Sequence, residues 1–384
     1  MFMNKKDRII DFIYYIHQNI GARVPGSREE KLAARYIKSV LSQFSDKTDS
    51  QSFMCNSRSW QHEFNMVCIL YCLALIGYLT YPPSAIFFIL LYGVHILLIK
   101  IYDIKVTDIW LSKNKSQNII ANIKPYKEIK NTIIFAAHTD SAYTTELYDT
   151  KYRNYLTLIN RAFPSLFGLL LFITLINIFK IADVVIDYLY LLPFLAIGAV
   201  IYFQNKFVKY EKSFGANNDL SGISINIELA KHFFINRTNN TEIIIANFGA
   251  KEADFAGSKN FLKNNLDLLK KSIVINMESV AGGELNIISQ EKSIVHDKET
   301  VKILVEASQK ANIKLNTAKS DIITTDAGVF SYEKIKAVSF LSFDKYGIPL
   351  RYCLKEDVPQ YIFEEDLQNV FKICVKFVEL IDER

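Results

Sequence analysis

Four long apolar runs constrain this chain more than any other feature. Residues 64–82 (FNMVCILYCLALIGYLTYP) and 84–102 (SAIFFILLYGVHILLIKIY) form one adjacent pair, joined at Pro82-Pro83. Residues 163–179 (FPSLFGLLLFITLINIF) and 184–203 (VVIDYLYLLPFLAIGAVIYF) form a second, separated by Lys180-Ile181-Ala182-Asp183. Each run is about as long as a helix must be to cross ~30 Å of hydrocarbon. The pairs predict two transmembrane hairpins, at 64–102 and 163–203, and therefore four spans. Core helices of a large soluble protein are the alternative, and two closely spaced pairs rich in Phe, Leu, Ile and Tyr favour the membrane. Asp187 and Pro193 weaken the fourth span, although Asp187 lies near its end, where a carboxyl costs less.

Flanking charge sets the expected orientation, because Lys and Arg near span ends stay cytoplasmic. Arg58, Lys105, Lys151, Arg161, Lys206 and Lys212 all flank the spans on the side away from the hairpin tips, whereas the tips carry only Lys180. An even number of spans returns the chain to its starting side. The N-terminus and every polar segment are therefore expected in the cytoplasm, and the N-terminal stretch lacks the pattern of a signal peptide. Among 384 residues, 45 basic and 40 acidic side chains leave a net charge of +5. The lysines are scattered, which argues against a nucleic-acid partner. Five cysteines, odd in number and without a paired CxxC spacing, read as reduced, buried thiols.

The polar remainder, residues 1–60, 104–162 and 205–384, is long enough for one discontinuous α/β domain. Ser27 and Glu30 have the spacing of a capping box at the head of an amphipathic helix. Short β-branched runs at Asn118 to Ile123, Thr132 to Ala137, Glu242 to Phe248, Ser272 to Met277 and Ala337 to Phe343 read as strands. Helical patterns at 222–235, 256–269, 298–311 and 364–381 alternate with them. That alternation predicts an α/β fold with a mostly parallel central sheet flanked by helices.

Sites in such sheets form where strands end, and four exits here carry acidic or imidazole groups. The first is His138-Thr139-Asp140, which can place imidazole on a metal with Asp140 behind the other ring nitrogen, or simply make a turn. The second is the loop Gly215-Ala216-Asn217-Asn218-Asp219, which presents Asp219 as a ligand, with an N-cap and turn as the plain alternative. The third is Gly249-Ala250-Lys251-Glu252, and the fourth is Asn276-Met277-Glu278, where a carboxylate ends an otherwise apolar run. One His and three carboxylates suit a divalent ion, with zinc the best match.

The ordered set resembles the co-catalytic zinc exopeptidases of the bacterial leucyl aminopeptidase and aminopeptidase Y type, a family that also contains non-peptidase relatives. The likeness begins at Gly21-Ala22-Arg23-Val24-Pro25-Gly26-Ser27 and covers about 260 residues outside the hairpins. It implies that His138 binds one zinc with Asp140 orienting it, Asp219 bridges two metals, Glu252 binds the other, and Glu278 stands at a terminal carboxylate position. Gly249 to Ser258 resembles the family's G-A-E-E-x-G-L-x-G-S, but Lys251 replaces the first Glu, the general base. Ala327 stands where an S-D-H motif has its His, and Arg351-Tyr352-Cys353-Leu354 resembles an R-Y-x-H stretch with Cys353 as a substitute thiolate or a buried thiol.

Two functions follow from the resemblance. The first is a membrane-anchored metallopeptidase that removes N-terminal residues from peptides by zinc-activated water, holding one or two ions, with neutral Lys251 or Asp326 as base. The second is a catalytically inactive peptide-binding relative in which Lys251 pairs with the site's carboxylates. A transporter built on the spans has no buried charge array to support it.

Overall fold

A computed structural model describes residues 8–102, 105–107, 113–149, 151–180 and 191–384. Within it, period-two alternation builds the centre of the molecule. Along β2 (Asn114–Ile123), β3 (Asn131–His138), β6 (Thr241–Phe248) and β7 (Ser272–Glu278), successive side chains enter opposite cores. Ile119, Ile133, Phe135, Ile245 and Met277 join one apolar layer, while Ile120, Ile134, Ile244, Phe248 and Val274 join another. Both faces are covered, so these strands read as nearly unbroken apolar runs.

The remaining strands are β1 (Lys47–Cys55), β4 (Tyr143–Thr145), β5 (Val208–Lys212), β8 (Glu284–Glu291), β9 (Ile294–Val295), β10 (Asn316–Ser320) and β11 (Lys336–Phe343). Among the described residues the main sheet has nine strands in the order β1-β2-β6-β3-β7-β11-β8-β10, with β9 paired to β8. The expected mostly parallel sheet is corrected to a mixed one. β6, β3, β7 and β11 run parallel, as do β8 and β10, but β1–β2, β2–β6, β11–β8 and β8–β9 are antiparallel.

Helices α1 (Asp11–Asn19), α2 (Arg28–Leu41), α7 (Gly222–Ile235), α10 (Lys298–Lys310) and α12 (Glu364–Asp382) cover the first layer. Helices α8 (Ala256–Asn264), α9 (Leu266–Leu269) and α11 (Asp326–Tyr332) cover the second. Together these elements form one of two compact units, Met1–Ser57, Asn114–Thr144 and Tyr210–Arg384.

The other unit, Arg58–Lys113 and Thr145–Lys209, contains helices α3 (Ser59–Thr80), α4 (Pro82–Tyr102), α5 (Arg153–Ile178) and α6 (Leu191–Phe207). Among the described residues, three stretches are long and apolar enough to cross a membrane: Ser59–Thr80, Pro82–Ile99 and Arg161–Ile178. Of the fourth expected span, 184–190 with Asp187 lies outside the described residues, and Pro193–Tyr202 is a shorter apolar helix. Inside this unit Tyr92 stacks on Phe167 at 3.9 Å, and Tyr71 meets the same ring edge-on at 5.1 Å. Outward, Ile69, Ile76, Phe87, Leu90 and Leu195 are all more than half exposed or better, from 56% to 70%. Cys72 on α3 is exposed, which corrects the expectation that all the thiols are buried; all five cysteines are free.

Candidate functional site

Four loops at the strand exits are locked together before any chemistry is considered. Ser27 caps α2 by accepting the amide of Glu30 at 3.1 Å. Glu30 completes only a distorted capping box, accepting Gly26 N at 2.7 Å and then reaching away from its helix to Ala250 N at 2.9 Å. Burial, and then the Asp140 charge, push the Glu30 carboxyl up to about 8. Beyond Ala250, which adopts φ 54°, the chain turns sharply and presents Lys251 and Glu252. Asp140 fixes that turn from the neighbouring exit, accepting Lys251 N at 2.9 Å and Glu252 N at 2.8 Å. Arg23, fully buried, donates to Thr139 O at 2.8 Å and Gly215 O at 3.1 Å, tying the His138 exit to the Asn217–Asp219 loop.

The side chains so placed form one connected network. Lys251 Nζ lies 2.5 Å from Glu278 Oε1, 3.2 Å from Glu252 Oε1 and 2.9 Å from the Tyr352 hydroxyl. Tyr352 Oη is itself 3.1 Å from Glu278 Oε1. His138 Nε2 is 3.0 Å from Asn218 Oδ1, and Asn218 Nδ2 donates to Glu252 Oε1 at 3.2 Å and faces Cys353 Sγ at 3.9 Å. His138, Glu252 and Glu278 are thus joined through single intervening side chains. Asp140 Oδ1 stands 3.4 Å from His138 Nδ1.

Asp219 behaves differently. Its Oδ2 accepts His138 N at 3.1 Å, and its Oδ1 accepts Gly222 N at 3.2 Å and Ser279 N at 3.3 Å, so its carboxylate braces backbone. Asp326 is fully buried at the head of α11, and Ala327 packs among Phe248, Phe261 and Phe330 in the second apolar layer. Sequence reasoning passed over Asn218 and Tyr352. Asn218 stood in the quoted loop, but nothing in the spelling says which of three polar neighbours turns inward.

Electrostatics follows from burial. Burial alone would lower the Lys251 pKa, but the Glu252 and Glu278 charges hold it well above the ordinary value, so the group stays an ammonium. Burial would also lower His138, yet the Asp140 carboxylate and the Asp219 charge carry it up to about 10. Burial pushes Asp326 up to about 7, with the His138 charge and the Ser258 hydroxyl pulling against it. Burial raises the Cys353 thiol well above its usual range, so it stands as a thiol rather than the thiolate a metal prefers.

These side chains do not fit a divalent ion as they are placed. A metal needs deprotonated lone pairs converging on one point. Here the carboxylates share an ammonium instead, and no three His, Cys, Asp or Glu among the described residues are arranged around a common centre. Of the expected ligands, Glu252 and Glu278 are engaged by Lys251, His138 by Asn218, and Asp219 by backbone.

Comparison with known proteins adds a family match over part of the chain and a likeness of fold. The model of Peptidase family M28 matches residues 200–378, which hold the Asn217–Asp219 loop, Lys251, Glu252, Glu278, Asp326 and Cys353. The fold is similar to that of a zinc aminopeptidase of Bacillus subtilis, at 15% identity over 97% of this chain and 94% of that chain, TM-score 0.60. It is similar to a Zn-dependent exopeptidase of Parabacteroides distasonis, at 16% identity over 98% of each chain, TM-score 0.59. LapB of Legionella pneumophila is another similar structure, at 13% identity over 99% of this chain and 73% of that chain, TM-score 0.57. At these identities the likeness is one of fold. No curated protein matches the chain.

Proposed function

We propose that this chain is a membrane-anchored protein of the M28 exopeptidase type that engages peptides at the strand-exit site without hydrolysing them by metal-activated water. The family match supports a peptide as ligand, and zinc is the metal to be tested, because similar structures are zinc enzymes. One observation carries the reading: the Lys251 ammonium sits among Glu278, Glu252 and Tyr352 at 2.5, 3.2 and 2.9 Å. A second positive ion there would meet an unscreened like charge in a buried site. A protonated Lys251 also has no lone pair with which to act as base. The three long apolar helices and their basic flanks support anchorage, with the α/β unit on the cytoplasmic side.

Hydrolysis at a metal is the competing reading, and buried atoms with no hydrogen-bond partner among the described residues favour it, Glu278 Oε2 and His138 Nδ1 among them. Detergent-purified protein offered a set of aminoacyl reporters and peptides separates the two. The proposal expects saturable peptide binding with no turnover above buffer, with or without added Zn²⁺. Zinc-dependent turnover would overturn it.

A further inference from the structure

We infer that Asn218, and not Asp219, holds the centre of this site, and that its carboxamide together with the Lys251 ammonium fills the space of a metal centre. The inference deepens the metal-free reading above and rests on it.

Asp219 is committed elsewhere. Both of its oxygens are used by the backbone amides of His138, Gly222 and Ser279, and the residue is fully buried. The backbone around it leaves no slack, since a Cβ on Gly222 would lie 2.8 Å from either carboxylate oxygen. The neighbouring residue points the other way. Asp357 pins the loop by accepting Asn217 N at 2.7 Å and Asn218 N at 3.1 Å, and the Asn218 side chain then projects between His138, Glu252 and Cys353.

The chemistry of the neighbours fixes which way that amide faces. Glu252 Oε1 accepts from the Lys251 ammonium at 3.2 Å and serves as an acceptor, so the group 3.2 Å from it on Asn218 is the NH₂. The amide oxygen is then left facing His138 Nε2 at 3.0 Å, and an oxygen only accepts, so Nε2 must carry a hydrogen. A ring nitrogen that bears hydrogen has no lone pair for a metal. The atoms that would face an ion are therefore largely engaged from within: His138 Nε2 by Asn218, Glu252 Oε1 by Asn218 and Lys251, and Glu278 Oε1 by Lys251 and Tyr352, which leaves Glu278 Oε2 without a partner among the described residues. An aspartate at 218 would set a carboxylate against Glu252 and call for a cation between them, as an aspartate at 219 does not.

The test uses the full-length chain in detergent, incubated with Zn²⁺ alone, desalted and read by elemental analysis. The triple variant Asn218→Asp, Lys251→Glu, Cys353→His is expected to retain about one zinc or more per chain, and the double variant Lys251→Glu, Cys353→His at least tenfold less. Equal retention by the two variants, or a folded triple variant that keeps no zinc, overturns the inference. Zinc on the wild-type chain would instead sink the metal-free function, and the comparison of triple with double would still decide between Asn218 and Asp219. Should the triple variant not fold, ¹⁵N-histidine spectra of the wild-type chain decide. His138, assigned by loss of its signal in His138→Gln, must show a hydrogen on Nε2 at neutral pH, and a bare Nε2 refutes the assignment.

Discussion

Lys251 sets the character of the site at the scale of single residues. Its side chain is 4% exposed and that of Glu278 is 0% exposed, so the pair is desolvated on both sides. Removing one partner of such a pair leaves an uncompensated charge and costs about 3–5 kcal/mol, whereas removing both costs far less. Lys251→Met is therefore expected to destabilise the α/β unit by about that amount in urea unfolding, and Lys251→Met with Glu278→Gln to regain most of it. A Lys251→Met variant within ~1 kcal/mol of wild type would show that the ammonium is not held as described. That Lys251 stands in the place of a general base is what the resemblance in the sequence implies. Its consequence could not be read there, because the sequence lists Glu252 and Glu278 without saying that both lie within 3.2 Å of one nitrogen.

At the scale of elements, Glu30 at the head of α2 holds the exit that carries Lys251. Its carboxyl ordinarily titrates at 4.5 and in the fold at about 8. The folded state thus binds the extra proton between those values, so stability is fully present below pH 4.5 and falls as pH rises through about 8. One such group contributes a slope of up to about 1.4 kcal/mol per pH unit. Unfolding measured between pH 5 and pH 8 should show that decline, and Glu30→Gln should flatten it. An unchanged profile would assign the decline to other groups.

The five apolar strands could be read from sequence because burial on both faces writes a continuous signal into them, and the helices at 222–235, 298–310 and 364–382 because their apolar residues recur at helical spacing. β1 and β10 could not. They are the two ends of the sheet, and KTDSQSFMC and NTAKS bury little, so their apolar signal is weak. Missing β1, and missing β8, which pairs antiparallel with β11, is what made the sheet look mostly parallel. Helix α11 spans only seven residues, too short for its period to register, although it carries Asp326 into the site.

At the scale of the whole molecule, the apolar runs are inserted after β1 and after β4 in a chain whose α/β unit still assembles from three segments. If the inserted helices anchor the protein in a bilayer, it should stay in the membrane pellet through alkaline carbonate and leave only with detergent. Release by carbonate would contradict the anchorage without touching the site. The proposed site makes a narrower claim, that Lys251 and Asn218 occupy the space a metal would take. The most direct measurement is the zinc bound to wild-type, detergent-purified protein after incubation with excess Zn²⁺ and desalting. The account predicts well under about a tenth of an ion per chain, since the described residues present no site of converging lone pairs to hold one. One or two ions retained per chain, and lost from His138→Ala, would contradict it.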